Sequence, residues 1–396
     1  MATRPRVRFL HRHQPVLASL PRGSNRIGKQ RRAFGDPVAY LQPNLRFEPV
    51  PFPVPPGDLG MSLNSVAPGV AQAVQQAGVQ VFHMVGDTGG VNGVAVQEAV
   101  GKEMEVQIQN PGVQGSPAFF YHLGDVIYYN GLSIDYQTQF YEPYQYYPAN
   151  IFAIPGNHDG DTVAQAGDPV DKEPSLTGFH TNFCAAKAQP VSAYRNSMTE
   201  PYVYWRFDTP LVTIIGLYSN VEGSLDAQTG GPQEKWLTAQ LKAAPANKCL
   251  LVAVHHTPYS LDEVHGGSPN VLQSMDNAIA SSGRIPDAIF AGHVHNYQRF
   301  SRKIGQRIIP YIVAGAGGYA TSIRSMHQLQ TNNGRQIQVP FQTTHPDLQL
   351  EKYNTTDPGF LKVTVTANDF TSDYYTVPFD TPPTGNPFDS VTVSWK

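Results

Sequence analysis

Cysteine is almost absent: Cys184 and Cys249 are the only two in 396 residues. Two thiols cannot build a disulfide framework, and Cys249 opens the apolar run Cys249-Leu250-Leu251-Val252, where it reads as a buried thiol in a strand. Charge is also sparse, at 15% of residues, and nearly balanced, with a net −3 and a pI near 6.5. That excludes an electrostatic case for a nucleic-acid or membrane-surface partner. The exception is a basic N-terminal arm carrying Arg4, Arg6, Arg8, Arg12, Lys29, Arg31 and Arg32, which reads as a solvated tail. No stretch approaches the roughly 18 consecutive apolar residues of a membrane span. The chain opens with positive charge as an export leader does, but His11, Arg12, His13 and Gln14 interrupt any apolar core. The expectation is a protein without a leader, in the cytoplasm rather than secreted. Its oligomeric state leaves no mark in the sequence.

What is plentiful is glycine and proline, 69 of 396 residues or 17%, against a usual total of about 12%. Many loops between short elements follow from that. Residues 1–78 lack sustained periodicity in their first sixty positions. They also hold the run Pro49-Val50-Pro51-Phe52-Pro53-Val54-Pro55-Pro56, which must be extended or turned. They read as an arm packed on the core. From residue 79 short apolar runs begin, each followed at once by polar or Gly-rich sequence: Val79 to Val85, Ala118 to Leu123, Ile151 to Ile154, Leu250 to Val254, Ala288 to Ala291 and Ile308 to Ala314. These read as buried strands. Between them the segment from Pro232 to Leu241 puts Trp236, Leu237, Gln240 and Leu241 on one helical stripe, with proline where a helix start tolerates it. Strand and helix in alternation predict an α/β core over 79–370. Residues 371–396 read as a tail or closing edge strand.

The chemistry lies just past the strands. In order they deliver Gly86-Asp87-Thr88-Gly89, Gly124-Asp125-Val126-Ile127-Tyr128, Gly156-Asn157-His158-Asp159, His255-His256 and Gly292-His293-Val294-His295. Side chains just past the carboxyl ends of strands in an open α/β sheet converge on one crevice. Two carboxylates, a phenol, an amide oxygen and three imidazoles exceed the needs of one ion and suit two, about 3.5–4 Å apart. The glycines before these residues read as sharp turns that leave room for metal and phosphate.

The set GDTG, GDVIY, GNHD, VAVH (Val252 to His255) and GHVH resembles the five-motif signature of the purple acid phosphatases, within the calcineurin-like metallophosphoesterases. The resemblance implies a four-layer α-β-β-α sandwich with a dinuclear metal site at the carboxyl ends of the strands. It implies that Asp87, Asp125, Tyr128 and His295 hold one ion, ferric iron. Asp125 would bridge to a second ion, Fe(II), Zn or Mn, held by Asn157, His255 and His293. It further implies that a water activated between the ions attacks a small phosphorylated substrate, most simply a phosphomonoester. His158 would protonate the leaving oxygen, and His265 would contact the phosphate. Two departures stand out. Plant members carry a β-sandwich domain before the catalytic core, which the proline-rich 86 residues before Asp87 do not resemble, and members are mostly secreted.

Other residues take plainer readings. His83 and His122, inside strands, read as hydrogen-bonded core histidines, and Tyr141, Tyr144, Tyr146 and Tyr147 as packing. Tyr129 is the alternative to Tyr128 if the register slips by one. His256 points away from the ligand His255 if the chain is extended there. Gly57-Asp58-Leu59-Gly60 repeats the first motif's letters after a proline run and reads as a turn. His11, His13, His180, His327 and His345 receive no role. The rival functions are a phosphodiesterase of the same superfamily, disfavoured by Gly89 where the common first motif has histidine, and an inactive metal-binding scaffold. A protein phosphatase fits less well, because Tyr129-Asn130-Gly131 stands where that family continues Asp-Arg-Gly. Residues 160–200, polar and unpatterned, read as the specificity loop.

Overall fold

The computed structural model describes residues 32–38, 46–112, 115–163 and 173–396. The basic arm up to Arg31, with His11 and His13, and residues 164–172 of the expected specificity loop lie outside them.

The expected strands form, and they divide between two sheets. One has six strands in the order Asp389–Ser394, Asp369–Thr376, Gly359–Thr366, Val79–Val85, Phe119–His122 and Asn150–Ala153. The other has nine, in the order Gly60–Ser62, Trp205–Asp208, Val212–Leu217, Cys249–Val254, Ala288–Ala291, Arg307–Ala314, Tyr297–Ile304, Leu348–Asn354 and Phe341–Gln342. In the middle of each the strands run parallel: Val79–Val85 with Phe119–His122 and Asn150–Ala153, and Val212–Leu217 with Cys249–Val254, Ala288–Ala291 and Arg307–Ala314.

The two faces of each strand explain why the sequence shows continuous apolar runs rather than alternation. Phe82, Met84, Phe119, Tyr121 and Phe152 of the first sheet meet Ile214, Leu251, Ala253, Phe290 and Ile312 of the second in a core between the sheets. The alternate residues face outward onto helices. Val85, Phe120 and Ile151 pack with Val100 and Met104 of the helix Ala95–Gln109. Leu250, Val252 and Val254 pack with Leu237 and Leu241 of the helix Pro232–Ala243, and with Val271 and Met275 of the helix Pro269–Ser282. Sequence chemistry sets both helix starts. Pro232 and Pro269 need no donor there, Asp226 accepts the N–H groups of Gln233 and Glu234 at 3.0 and 2.9 Å, and Ser268 accepts that of Val271 at 3.2 Å. The result is the four-layer α-β-β-α sandwich.

The N-terminal segment differs from the first reading. Gly60–Ser62 is a strand paired parallel with Trp205–Asp208, and Pro68–Ala77 is a helix that buries Ala71 and Val74. The arm therefore joins the core well before residue 78. It escaped notice because a three-residue strand is too short to show a period. Residues from 369 on supply two antiparallel strands, the last of them the edge of the six-stranded sheet. Among the described residues no helix is long and apolar enough to cross a membrane.

Candidate metal centre

All five strand ends deliver side chains to one cluster, and it lies where the two sheets meet rather than along the edge of a single one. Asp87, Asp125, Tyr128, Asn157 and His158 follow strands of the six-stranded sheet, while His255, His293 and His295 follow strands of the nine-stranded one. The sharp turns fall on the acidic and imidazole residues themselves. Asp87, Asp125 and His293 have φ of 58°, 51° and 69°, whereas of the glycines preceding the motifs Gly124 alone is in the left-handed region, at 95°. Asp and His are among the non-glycine residues that tolerate this region, and such strain marks functional turns. The glycines serve close approach instead: a Cβ on Gly156 would overlap the Asp125 carboxylate.

The side chains gather in two groups. In one, the Tyr128 hydroxyl lies 3.3 Å from Asp87 Oδ1 and 3.5 Å from His295 Nε2, and His295 Nε2 lies 3.5 Å from Asp87 Oδ1. In the other, His255 Nε2 lies 3.2 Å from Asp125 Oδ2 and 3.1 Å from Asn157 Oδ1, and His293 Nδ1 lies 2.9 Å from the same amide oxygen. Donor atoms of Asp125, His255 and His293 all fall within 4.8 Å of one another. Every one of these residues is buried.

The donor chemistry fits cations. His255 Nδ1 donates to the Leu123 carbonyl at 2.9 Å, so a neutral ring turns its Nε2 lone pair toward two oxygens. Only a proton or a cation relieves that opposition. With no cation the proton serves: burial alone would push the ring down, but Asp125 by charge and hydrogen bond, and then Asp87, push it up to about 9. Burial and the Asp125 charge hold the Asp87 carboxyl well above its usual range, against the pull of His255. Burial followed by the charges of Asp125 and Asp87 drives the Tyr128 phenol well above 10. Buried acids, a phenol and imidazoles perturbed in this way are the donor chemistry that a site for positive charge requires.

The calcineurin-like phosphoesterase family model matches residues 82–297, more than half of the chain and the whole of this site. The chain belongs to that family. Purple acid phosphatase 21 of Arabidopsis thaliana is 31% identical over 164 residues, which cover 39% of this chain and 36% of that protein. Probable purple acid phosphatase 20 of the same plant is 32% identical over 199 residues, 43% and 45% of the two chains. The chain thus spans less than half the length of the curated relatives it matches. Among solved structures, purple acid phosphatase PPD1 from yellow lupin seeds superposes with a TM-score of 0.56 at 18% identity, covering 80% of this chain and 54% of that one. GAP50, the anchor in the inner membrane complex of Plasmodium, gives 0.54 at 14% identity, covering 80% and 89%. At these identities the likeness shows the fold.

The remaining residues of this phosphoesterase-family site sort out as follows. Tyr128, not Tyr129, reaches the buried cluster, and Gly89 makes room for it: a Cβ there would stand 2.6 Å from Tyr128 Cδ2. Tyr129 sits half-buried at the rim with its hydroxyl 3.3 Å from that of Tyr319. His158 is half-buried, its backbone N–H given to Asp125 Oδ1 at 2.9 Å and its Nδ1 set 2.9 Å from the Tyr129 carbonyl. Asp159 accepts the backbone N–H groups of Val126, Ile127 and Gly156. His265 lies beside His293, ring centroids 4.2 Å apart, on a loop that Asp262 organises by accepting the N–H groups of Val264, His265 and Gly266, each at 2.8 Å. His256 does not turn away: its ring is 4.2 Å from that of His293, with Nδ1 at 2.8 Å from Ser219 Oγ. Ser219 follows the strand Val212–Leu217, a sixth strand end in the crevice that no ligand-type residue announced.

Two side chains were missed altogether. Tyr319 and His327 both pack against the His295 ring, at centroid distances of 4.4 and 4.2 Å. The glycine-rich stretch Gly315 to Gly318 directly before it was the available signal for Tyr319. His327 had none. His83 and His122 are core histidines held by Tyr147 and Gln107 and by Thr88, and Asp58 pairs with Arg206 on the surface at 2.9 Å.

Proposed function

We propose that this protein hydrolyses phosphate esters, phosphomonoesters in the first place, at a dinuclear metal centre. Asp87, Tyr128 and His295 would hold one ion, Asn157, His255 and His293 the other, and Asp125 both. The observation that carries the reading is the division of seven buried donors into two groups at the seam between the sheets. Hard oxygen donors and a phenol in the first group favour ferric iron, and the more imidazole-rich second group suits Fe(II), Zn or Mn. Cations bound there would supply Lewis-acid activation of a water and neutralise charge on the phosphoryl oxygens.

The chain's own residues do the rest. A carbonyl only accepts, so His158 donates through Nδ1 to Tyr129, and its Nε2 is the atom left to carry a proton to the leaving alkoxide. His265 stands beside His293, placed to meet the phosphate as charge builds on its oxygens. No side chain is required as a covalent nucleophile.

The test is metal analysis of the purified protein together with a panel of phosphomonoesters and phosphodiesters. Close to two transition-metal ions per chain, at least one of them iron, and faster turnover of the monoesters are expected. A diester preference would move the protein to the phosphodiesterases of its superfamily. Bound metal without hydrolysis of any ester would make it a scaffold.

A further inference from the structure

His327 lies on none of the motif-bearing strand ends, and the reaction as set out leaves it idle. Its ring stacks on His295, centroids 4.2 Å apart and planes 24° from parallel, with the His265 ring at 4.8 Å and the buried Asp262 carboxylate 3.9 Å from Nδ1. Its Nδ1 takes the backbone N–H of His295 at 3.1 Å. That contact fixes the tautomer: an N–H only donates, so Nδ1 holds a lone pair and the ring hydrogen sits on Nε2. The backbone is pinned to the same segment, its N–H given to the His295 carbonyl at 3.1 Å and its carbonyl taken by Asn296 Nδ2 at 2.7 Å. The ring is thus anchored through Nδ1 to the backbone of His295, and Nε2 is the ring nitrogen left over. No described residue takes the Nε2 hydrogen, and the side chain keeps 12% of its surface open.

We propose that His327 contacts the substrate, its Nε2–H donating to a phosphoryl oxygen on the Tyr128 side of the crevice, next to His265. The proposal rests on the phosphoesterase reading and adds to it a donor that works as a neutral ring. A hydrogen-bond donor with its backbone fixed to the ligand-bearing segment loses little entropy when the ester binds.

The competing role is structural, in which His327 merely satisfies the His295 backbone. Two substitutions separate the roles. His327→Asn sets an amide oxygen about where Nδ1 stands, so it keeps the backbone bond and removes the distal donor. His327→Gln carries its amide nitrogen about as far as Nε2, so it keeps the donor and gives up the backbone acceptor. The measurement is the dissociation constant of inorganic phosphate for the metal-loaded protein by titration calorimetry, with metals per chain determined for each variant. His327→Asn is expected to weaken phosphate about tenfold with both metals retained, and His327→Gln to stay close to wild type. Phosphate binding by His327→Asn equal to wild type, or loss of metal from it, overturns the proposal in favour of the structural role. Wild-type protein that holds two metals and binds no phosphate overturns the phosphoesterase reading, and this one with it.

Discussion

Gly89 and Tyr128 share one volume. A side chain on residue 89 would begin 2.6 Å from the Tyr128 ring, so the histidine of the commoner first motif and the phenol cannot both be present. The pairing makes a spectroscopic prediction. A phenolate on ferric iron absorbs visible light by charge transfer, so the oxidised, iron-loaded protein is expected to be purple or pink. Tyr128→Phe should bleach it and Tyr129→Phe should not, because Tyr129 stops at the rim. Gly89→Ala should shift or abolish the band by pushing the ring aside, an effect that no other reading of Gly89 requires. A coloured Tyr128→Phe protein would remove Tyr128 from the site. His158 calls for kinetics instead. His158→Ala should retain both metals and lose about 10²–10⁴-fold with alkyl phosphates, whose leaving groups need a proton. It should lose far less with nitrophenyl phosphate, and equal losses would reduce His158 to a positioning role.

At the scale of elements, the site is a set of loops tied to one another, and Asp159 is the clearest tie. Its buried carboxylate accepts N–H groups from Val126 and Ile127 beyond one strand and from Gly156 beyond the next. Asp159→Ala would leave buried donors unpaired, at about 1–3 kcal/mol each. Urea unfolding of the metal-loaded variant should show a loss on the order of 3 kcal/mol or more together with weaker metal binding. Unchanged stability would mean water replaces the carboxylate. The motif GNHD marked Asn157 and His158 as candidates, but the job of Asp159 could not be read, because two of its three partners lie 32 and 33 residues back along the chain. The same limit runs through the molecule. Strand ends were legible because an apolar run and the turn after it are neighbours in sequence. The split into two sheets was not, since pairing partners such as Val79–Val85 and Gly359–Thr366 are set by tertiary packing. His327 and Ser219 meet His295 and His256 from loops with no periodicity, and a lone histidine or serine there carries no mark of its destination.

At the scale of the whole described fold, two large sheets share a core at their inner faces and a cluster of acidic, amide, phenol and imidazole side chains where they meet. Cations at that seam would fasten one sheet to the other. Each ion should stabilise the fold by about 4 kcal/mol at a thousandfold excess over its dissociation constant. Chelation should therefore lower the melting temperature well beyond any effect on a surface site. The pH dependence has a definite sign. In the metal-free protein the Asp125 and Asp87 carboxylates lift His255 to about 9, against roughly 6.5 for an unfolded histidine. A raised pKa contributes stability that is fully present below 6.5 and fades as pH climbs through about 9. The metal-free fold should thus weaken across that window. A cation on His255 displaces the proton, so loading at pH 7 must release it, and the Tyr128 phenol, held well above 10, must release another on binding. Metal affinity is then expected to rise with pH, through about 9 for the His255 proton and on beyond 10 for the Tyr128 proton. Calorimetric titration in two buffers of different ionisation enthalpy counts the protons directly. Two or more released at pH 7 agrees with His255 and Tyr128 as ligands. None released would mean that the metal binds elsewhere and that the acid–imidazole cluster at the seam is held together by its own protons.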